Sequence, residues 1–190
     1  MFLNLIKKTI ILEWIIATFS GFLISLFFVE IGTKPDLNLL LAATAGLIVS
    51  LPQAFLVKEY LPAIWWVLLT SIAWAVIDFT GLGAVGWMVP TTDVFLSRVL
   101  HGAFEGVITG FLLGCFQWIT LFPYVENSWR WILLNTISWA IALPVGYSVG
   151  LFLYRLTNIF LAEVLGLVIS WLILACLLAI GCRFVFDNNS

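Results

Sequence analysis

Residues 101–121 read HGAFEGVITGFLLGCFQWITL, and this stretch decides the fold. It is apolar over the roughly 20 residues that a helix needs to cross a bilayer core of about 30 Å. Gly102, Gly106, Gly110 and Gly114 recur at every fourth position. On a helix this spacing gathers them in one stripe, where a neighbouring backbone can approach closely. Gln117 and Trp118 close the run, where polar and amphipathic groups return at the bilayer surface.

The rest of the chain has the same character. Its 190 residues are 63% hydrophobic and 9% charged, with a mean hydropathy of +1.16. Soluble domains carry about 25% charged residues. This composition cannot coat a water-facing globule, and it implies one domain over residues 1–190 solvated by lipid. A net charge of −2 without a basic run argues against nucleic acid as a partner. Cys115, Cys176 and Cys182 sit in apolar segments without a CxxC and read as small packing residues. Lys7 and Lys8 precede an apolar run that is long for a secretory signal, contains Glu13 and lacks a small-residue cleavage site. It is therefore read as a retained first helix.

Working outward from 101–121, six stretches meet the length test: 10–30, 37–57, 63–82, 95–121, 131–154 and 159–185. Short breaks rich in turn residues separate them. These are Gly32 to Asp36, Lys58 to Pro62, Gly86 to Asp93, Pro123 to Ser128 and Arg155 to Asn158. Short connections make neighbours antiparallel, so the expected unit is a helical hairpin. Odd helices share a tryptophan seven positions before a glycine: Trp14 and Gly21, Trp74 and Gly81, Trp139 and Gly146. Trp66 and Trp131 stand eight positions before the second and third of these tryptophans. Even helices share small residues every fourth position: Ala42, Gly46, Ser50 and Ala54; the glycines 102 to 114; and Ala162, Gly166 and Ser170. Gln53 and Gln117 fall in register, with Tyr60 and Tyr124 seven later, and Lys34, Arg98 and Arg155 precede or open the even helices. The fold expected is all-α, six transmembrane helices as three tandem hairpins (about 10–58, 63–122 and 131–186) around a pseudo-threefold axis.

In this arrangement the small-residue stripes face the bundle and bulky Trp, Phe and Leu cover the lipid side. Pro52 and Pro144 lie inside helices, where nearby Ser or Thr help to satisfy the freed carbonyls. Lys7, Lys8, Lys58, Arg130 and Arg183 flank one side, against Lys34, Arg98 and Arg155 on the other. The excess places both termini in the cytoplasm.

The elements Gly46–x3–Ser50–x2–Gln53 with Trp66 and Trp74, and Gly110–x3–Gly114–x2–Gln117–Trp118 with Trp131 and Trp139, make a repeated pattern. It resembles a group of bacterial multi-pass membrane proteins, common in cyanobacteria, that repeat a G-x3-G-x2-Q-W-x2-L element. The resemblance covers residues 42–146; Ala54 stands where the first copy would carry Trp. It implies an integral protein of the plasma or thylakoid membrane and no particular activity.

Ionisable groups inside a membrane are costly, so each is a candidate for function. Glu13, Asp78, His101, Glu105 and Glu163 qualify. Arg98, His101 and Glu105 share one face of the fourth helix, and His101 and Glu105 are direct i,i+4 neighbours. Such a set can relay a proton, grip a polar headgroup or ligate a cofactor. It can equally be a self-satisfied cluster, with Arg98 snorkelling to the surface and Glu105 bonded across the bundle. Asp78 is placed to pair with Arg98 or His101, or to lie near the surface beside Gly81 and Gly83. Glu13 reads as an unremarkable acid in a first helical turn. Trp74, Trp118, Trp129, Trp131 and Trp139 fit an aromatic belt or packing, or a platform for a pigment, quinone or lipid. No metal set and no catalytic motif is present in the sequence. The leading expectation is a non-enzymatic accessory subunit that packs against another membrane protein or oligomerises. The alternatives are a small carrier or channel with a polar path through Arg98, His101, Glu105 and Asp78, and a binder of a lipophilic cofactor.

Overall fold

The computed structural model describes residues 2–32 and 38–186, with side chains over 11–32, 38–182 and 185. The Lys7, Lys8 and Arg183 side chains, residues Thr33 to Asp36 of the first break, and the tail from Asp187 lie outside the described residues. Six helices follow in order: α1 (Phe2–Ser25), α2 (Leu39–Val57), α3 (Ala63–Thr80), α4 (Phe95–Leu121), α5 (Arg130–Thr157) and α6 (Leu161–Phe186). Asn38 caps α2 by accepting from the Leu41 amide at 3.0 Å. Gly81 stops α3 in the left-handed region, φ 64°, and turns its amide back onto the Ile77 and Asp78 carbonyls. Asn158 ends α5 in the same way at φ 53°. Because no Gly or Pro interrupts residues 2–20, α1 starts eight residues before the expected position. Glu13 is consequently exposed in mid-helix rather than in a first turn.

Each helix packs on its predecessor and its successor, and α6 returns to α1, so the described helices form a closed ring. Five of them, α2 to α6, are long and apolar enough to cross a membrane; the described apolar part of α1, Ile11–Ser25, is shorter. The protein is therefore an all-helical, membrane-embedded chain. The outside of the ring is apolar, with Phe27, Leu40, Phe55, Phe79, Phe104 and Phe152 among its exposed side chains. The α1–α2, α3–α4 and α5–α6 connections gather at one end. There the Val89 amide donates to the Gly32 carbonyl and Arg155 donates to the Asp93 carbonyl.

The tryptophans occupy the inside of the ring, which corrects the expectation that they cover its lipid side. Of the ten tryptophans, Trp14, Trp66, Trp74, Trp87, Trp131, Trp139 and Trp171 are buried, Trp118 is half-buried, and Trp65 and Trp129 are exposed. The physical reason is that rings meeting edge-to-face attract one another through their quadrupoles, and the indole N–H groups of Trp66, Trp87, Trp131 and Trp171 find acceptors inside. Trp14, Trp66 and Trp131 meet pairwise with centroids 5.6–6.2 Å apart, all edge-to-face. Spacing in the sequence matched Trp14 to Trp74 and Trp139; in space its companions are Trp66 and Trp131. Phe22, eight residues after Trp14, joins a second cluster by stacking on Trp171 at 4.7 Å, beside Trp74 and Trp139.

A belt of neutral polar groups lies beside these clusters. The Gln53 amide donates to Thr18 Oγ1 at 3.0 Å and its carbonyl accepts from Trp66 Nε1 at 3.2 Å. The Gln117 amide donates to Thr70 Oγ1 at 3.1 Å and its carbonyl accepts from Trp131 Nε1 at 2.9 Å. Both glutamines line a small cavity of about 20 Å³, room for about one water. From α6 the same cavity is lined by Trp171, Leu174 and Leu178, and the buried Trp14 Nε1 has no hydrogen-bond partner among the described residues.

The small-residue stripes are used within the chain. A Cβ on Gly110 would lie 2.5 Å from the Asn135 carbonyl oxygen, and one on Gly114 would lie 2.8 Å from Ile132 Cα. Gly106 faces the Trp139 carbonyl, and Gly102 faces Tyr147 and the amide-less nitrogen of Pro144. Gly46 packs on Trp74 and Ser71 of α3, and Gly166 on the Gly146 and Gly150 backbone of α5. Ser170 donates to its own Gly166 carbonyl. Contrary to the expectation that nearby hydroxyls satisfy the carbonyls freed by Pro52 and Pro144, the neighbouring serines bond elsewhere. Ser50 bonds Leu47 and Ser148 bonds Pro144, because a serine hydroxyl reaches back three or four residues along its own helix.

The stretch from Gly81 to Val94, which contains the expected break Gly86 to Asp93, turns inward. Ala84, Val85, Trp87 and Val89 are buried. Its carbonyls and indole are satisfied one by one, as irregular backbone at membrane depth requires. Thr109 donates to the Ala84 carbonyl at 3.0 Å, Trp171 to the Gly86 carbonyl at 2.8 Å, and Trp87 Nε1 to Ser25 Oγ at 2.7 Å. The segment thereby closes this end of the ring.

Candidate functional site

Where the inserted segment leaves the wall, it borders a cleft of about 510 Å³ at the end where the odd-to-even connections gather. α3 contributes Asp78 from its last turn, placed there because Gly81 stops the helix one residue after Thr80. The segment itself contributes Gly83 and Met88 through Thr92. Gly83 takes φ 86°, and a Cβ there would lie 2.6 Å from Thr109 Oγ1, so only glycine lets the chain turn in against α4. α4 contributes Ser97, His101 and Glu105, and α5 contributes Tyr147. The Tyr147 hydroxyl reaches the Met88 carbonyl at 3.4 Å and so ties α5 to the segment.

Three of the four residues singled out from the sequence line this cleft: Asp78, His101 and Glu105. His101 Nε2 is 2.8 Å from Glu105 Oε1, the contact that the i,i+4 spacing implied, so Glu105 is satisfied on its own helix and not across the bundle. Asp78 forms no ion pair with Arg98 or His101 among the described residues.

Arg98 stands apart from the other three, and it does not snorkel. It is 2% exposed and is held by Glu163 of α6 at 2.7 Å. Its Nε also donates to the Thr92 carbonyl at 2.5 Å, and its Nη1 to the Tyr147 carbonyl at 3.4 Å. Asp93, 3.9 Å away, is too exposed to add much. A guanidinium enclosed in this way can be stable in lipid only because a carboxylate and two carbonyls absorb its donors. The ion pair joins α4 to α6 beside the cleft and neutralises Arg98, whose Nε bonds the Thr92 carbonyl of the cleft wall. No signal in the sequence links Arg98 to Glu163, 65 residues away. The Tyr147, Ser97 and Thr92 walls were equally invisible, being ordinary residues brought together by the inward turn.

Among the described residues, the lining of the cleft holds two carboxylates, one histidine, and no lysine or arginine. Low-dielectric walls around charges of one sign concentrate the opposite ion. Among the described residues no three His, Cys, Asp or Glu side chains converge on a metal position. The cavity beside the polar belt, at about 20 Å³, is too small for a flat cofactor.

Fold and site together define a polytopic helical membrane protein with an acidic cleft at one end. The chain matches no family model, no curated protein and no solved structure. The function is therefore argued from the site.

Proposed function

We propose that this chain is a non-enzymatic, membrane-embedded solute-binding protein of the carrier type, which takes a cationic ligand into the cleft between Asp78 and Glu105. The observation that carries this is the convergence of Asp78 from α3 and the His101–Glu105 pair from α4 on one cavity whose neighbouring cation is already neutralised by Glu163. The accessory-subunit expectation drew on missing catalytic motifs, the lack of a soluble domain and small-residue stripes that could also dock a partner. Those on α2, α4 and α6 are filled by α3 and α5, so that support is withdrawn.

The scaffold in this proposal is three hairpins around a pseudo-threefold axis. Its support is the matched pair Thr18–Gln53–Trp66 and Thr70–Gln117–Trp131, with Thr18, Thr70 and Asn135 each four residues after one member of the Trp14, Trp66 and Trp131 trio. The register in α6 then follows Val49, Leu113 and Leu174, so that Leu178 stands where α2 and α4 carry glutamine. The sequence repeat had placed α6 by Gly166 and Ser170, and Trp14 by Trp74. Lys7, Lys8, Lys58, Arg130 and Arg183 flank the end away from the cleft, against Lys34, Arg98 and Arg155 on its side, and this excess supports a cytoplasmic N-terminus with the cleft opening to the opposite face.

The test is thermal unfolding of purified protein with ethylamine, choline or spermidine, against acetate and lactate. A ligand at a hundred times its Kd stabilises by about 2.7 kcal/mol. The organic cations are expected to raise the midpoint, and Asp78→Asn or Glu105→Gln to weaken that effect roughly tenfold, as loss of a charged hydrogen bond does. Stabilisation by the anions alone, or by cations equally in both variants, rejects the proposal.

A further inference from the structure

The cleft does not end at the rim of the ring. Ser97 and His101 line it, and the same two residues line a shallow furrow on the outer surface of α4 with Val94, Leu96, Leu100 and Phe104. These four apolar side chains are exposed, Leu100 to 62%, and in a bilayer they face acyl chains. His101 is itself 55% exposed, standing on the seam with its imidazole turned to Glu105. An acidic polar cleft and an apolar lipid-facing furrow are thus continuous through a serine and a histidine.

We infer that the ligand is an amphiphile that enters sideways from the bilayer, with an ammonium head between Asp78 and Glu105 and an alkyl chain along Leu96, Leu100 and Phe104. This rests on the cleft reading above and specifies its ligand class. A fully water-soluble cation would make no use of the furrow. Ordinary zwitterionic phospholipids are disfavoured, because their phosphate would be brought against the two carboxylates with no basic residue among the described lining to receive it. Along α4 the furrow runs from Val94 to Phe104, about 15 Å at 1.5 Å per residue, the reach of a medium-length chain. Ser97 and the unpaired edge of His101 supply hydrogen-bonding groups at the depth where head and chain join.

The experiment uses the full chain in lipid nanodiscs and a dodecylamine derivative carrying a photoreactive diazirine in mid-chain. Labelling is expected within residues 94–104, competed by dodecylamine and not by dodecyl sulfate, and at least tenfold weaker in Glu105→Gln. Leu100→Trp, which keeps the surface apolar but fills the furrow, is expected to weaken dodecylamine at least tenfold and leave ethylamine unchanged. If ethylamine protects as well as dodecylamine and Leu100→Trp affects neither, the furrow is overturned while the cleft stands. If neither amine protects the parent protein, both fall. Labelling spread evenly over the outer helices, unchanged in Glu105→Gln, overturns the lateral route.

Discussion

Glu163→Gln is expected to be the most damaging single substitution in the chain, lowering stability by about 3–5 kcal/mol in detergent unfolding. The Arg98 guanidinium is buried, and Glu163 is its one close carboxylate, at 2.7 Å. Glutamine keeps the shape but leaves a full positive charge enclosed without its counter-ion. Arg98→Met is expected to be comparably harmful, because it strands the buried Glu163 carboxylate instead. Removing both charges in Arg98→Met/Glu163→Met should recover most of the loss, since apolar replacements of a buried ion pair are often neutral or stabilising. The coupling between the two sites, read from the four proteins of this cycle, is what distinguishes a mutual ion pair from two separate defects. Additive losses would mean that the pair does not hold α4 to α6.

The second large effect lies on the α4–α5 seam. Gly110→Leu is expected to cost at least 1–3 kcal/mol, the usual range for overpacking. The estimate is a lower bound, because the obstructing atoms are main-chain atoms of Asn135 and Thr136 and not the flexible ends of side chains. Gly106→Leu meets the Trp139 backbone in the same way. α4 must then move off α5, which also displaces Glu105 from Tyr147 across the cleft, so cation protection should weaken together with stability. Phe111→Leu, on the exposed face of the same helix, serves as the control and is expected to change neither. Equal effects at Phe111 and Gly110 would show that the seam is not where α4 packs.

Much of this architecture was legible in the sequence, and the reasons for the remainder are specific. Length and hydropathy mark spanning helices because a bilayer imposes both, and the glycine spacing survives because backbone contact tolerates no substitute at Gly106 or Gly110. His101 and Glu105 are visible as a pair because they share a helix turn. Arg98 and Glu163 are not, since tertiary closure alone brings α4 to α6. A lipid-side placement of the tryptophans follows from assigning the inside to small residues, and it takes no account of rings that find Gln53, Gln117 and the Gly86 carbonyl there. The inserted segment carries a signal of its own in its composition. Ala84, Val85, Trp87, Met88 and Val89 are too apolar for a solvated turn, and a connection of that composition belongs against the interior.

The scaffold account depends on one polar unit occurring three times, with its third glutamine replaced by Leu178 and the Trp14 indole left without an acceptor. The most direct measurement is the unfolding midpoint of Leu178→Gln beside that of Leu174→Gln, one turn away on the same cavity. Leu178→Gln is expected to hold or exceed the parent stability, by about 1 kcal/mol, as its new amide meets Asn135 and accepts from Trp14 Nε1. Leu174→Gln is expected to lose about 1–3 kcal/mol, as an amide buried without a partner does. If the two variants fall equally, the interior is not built from three copies of one unit.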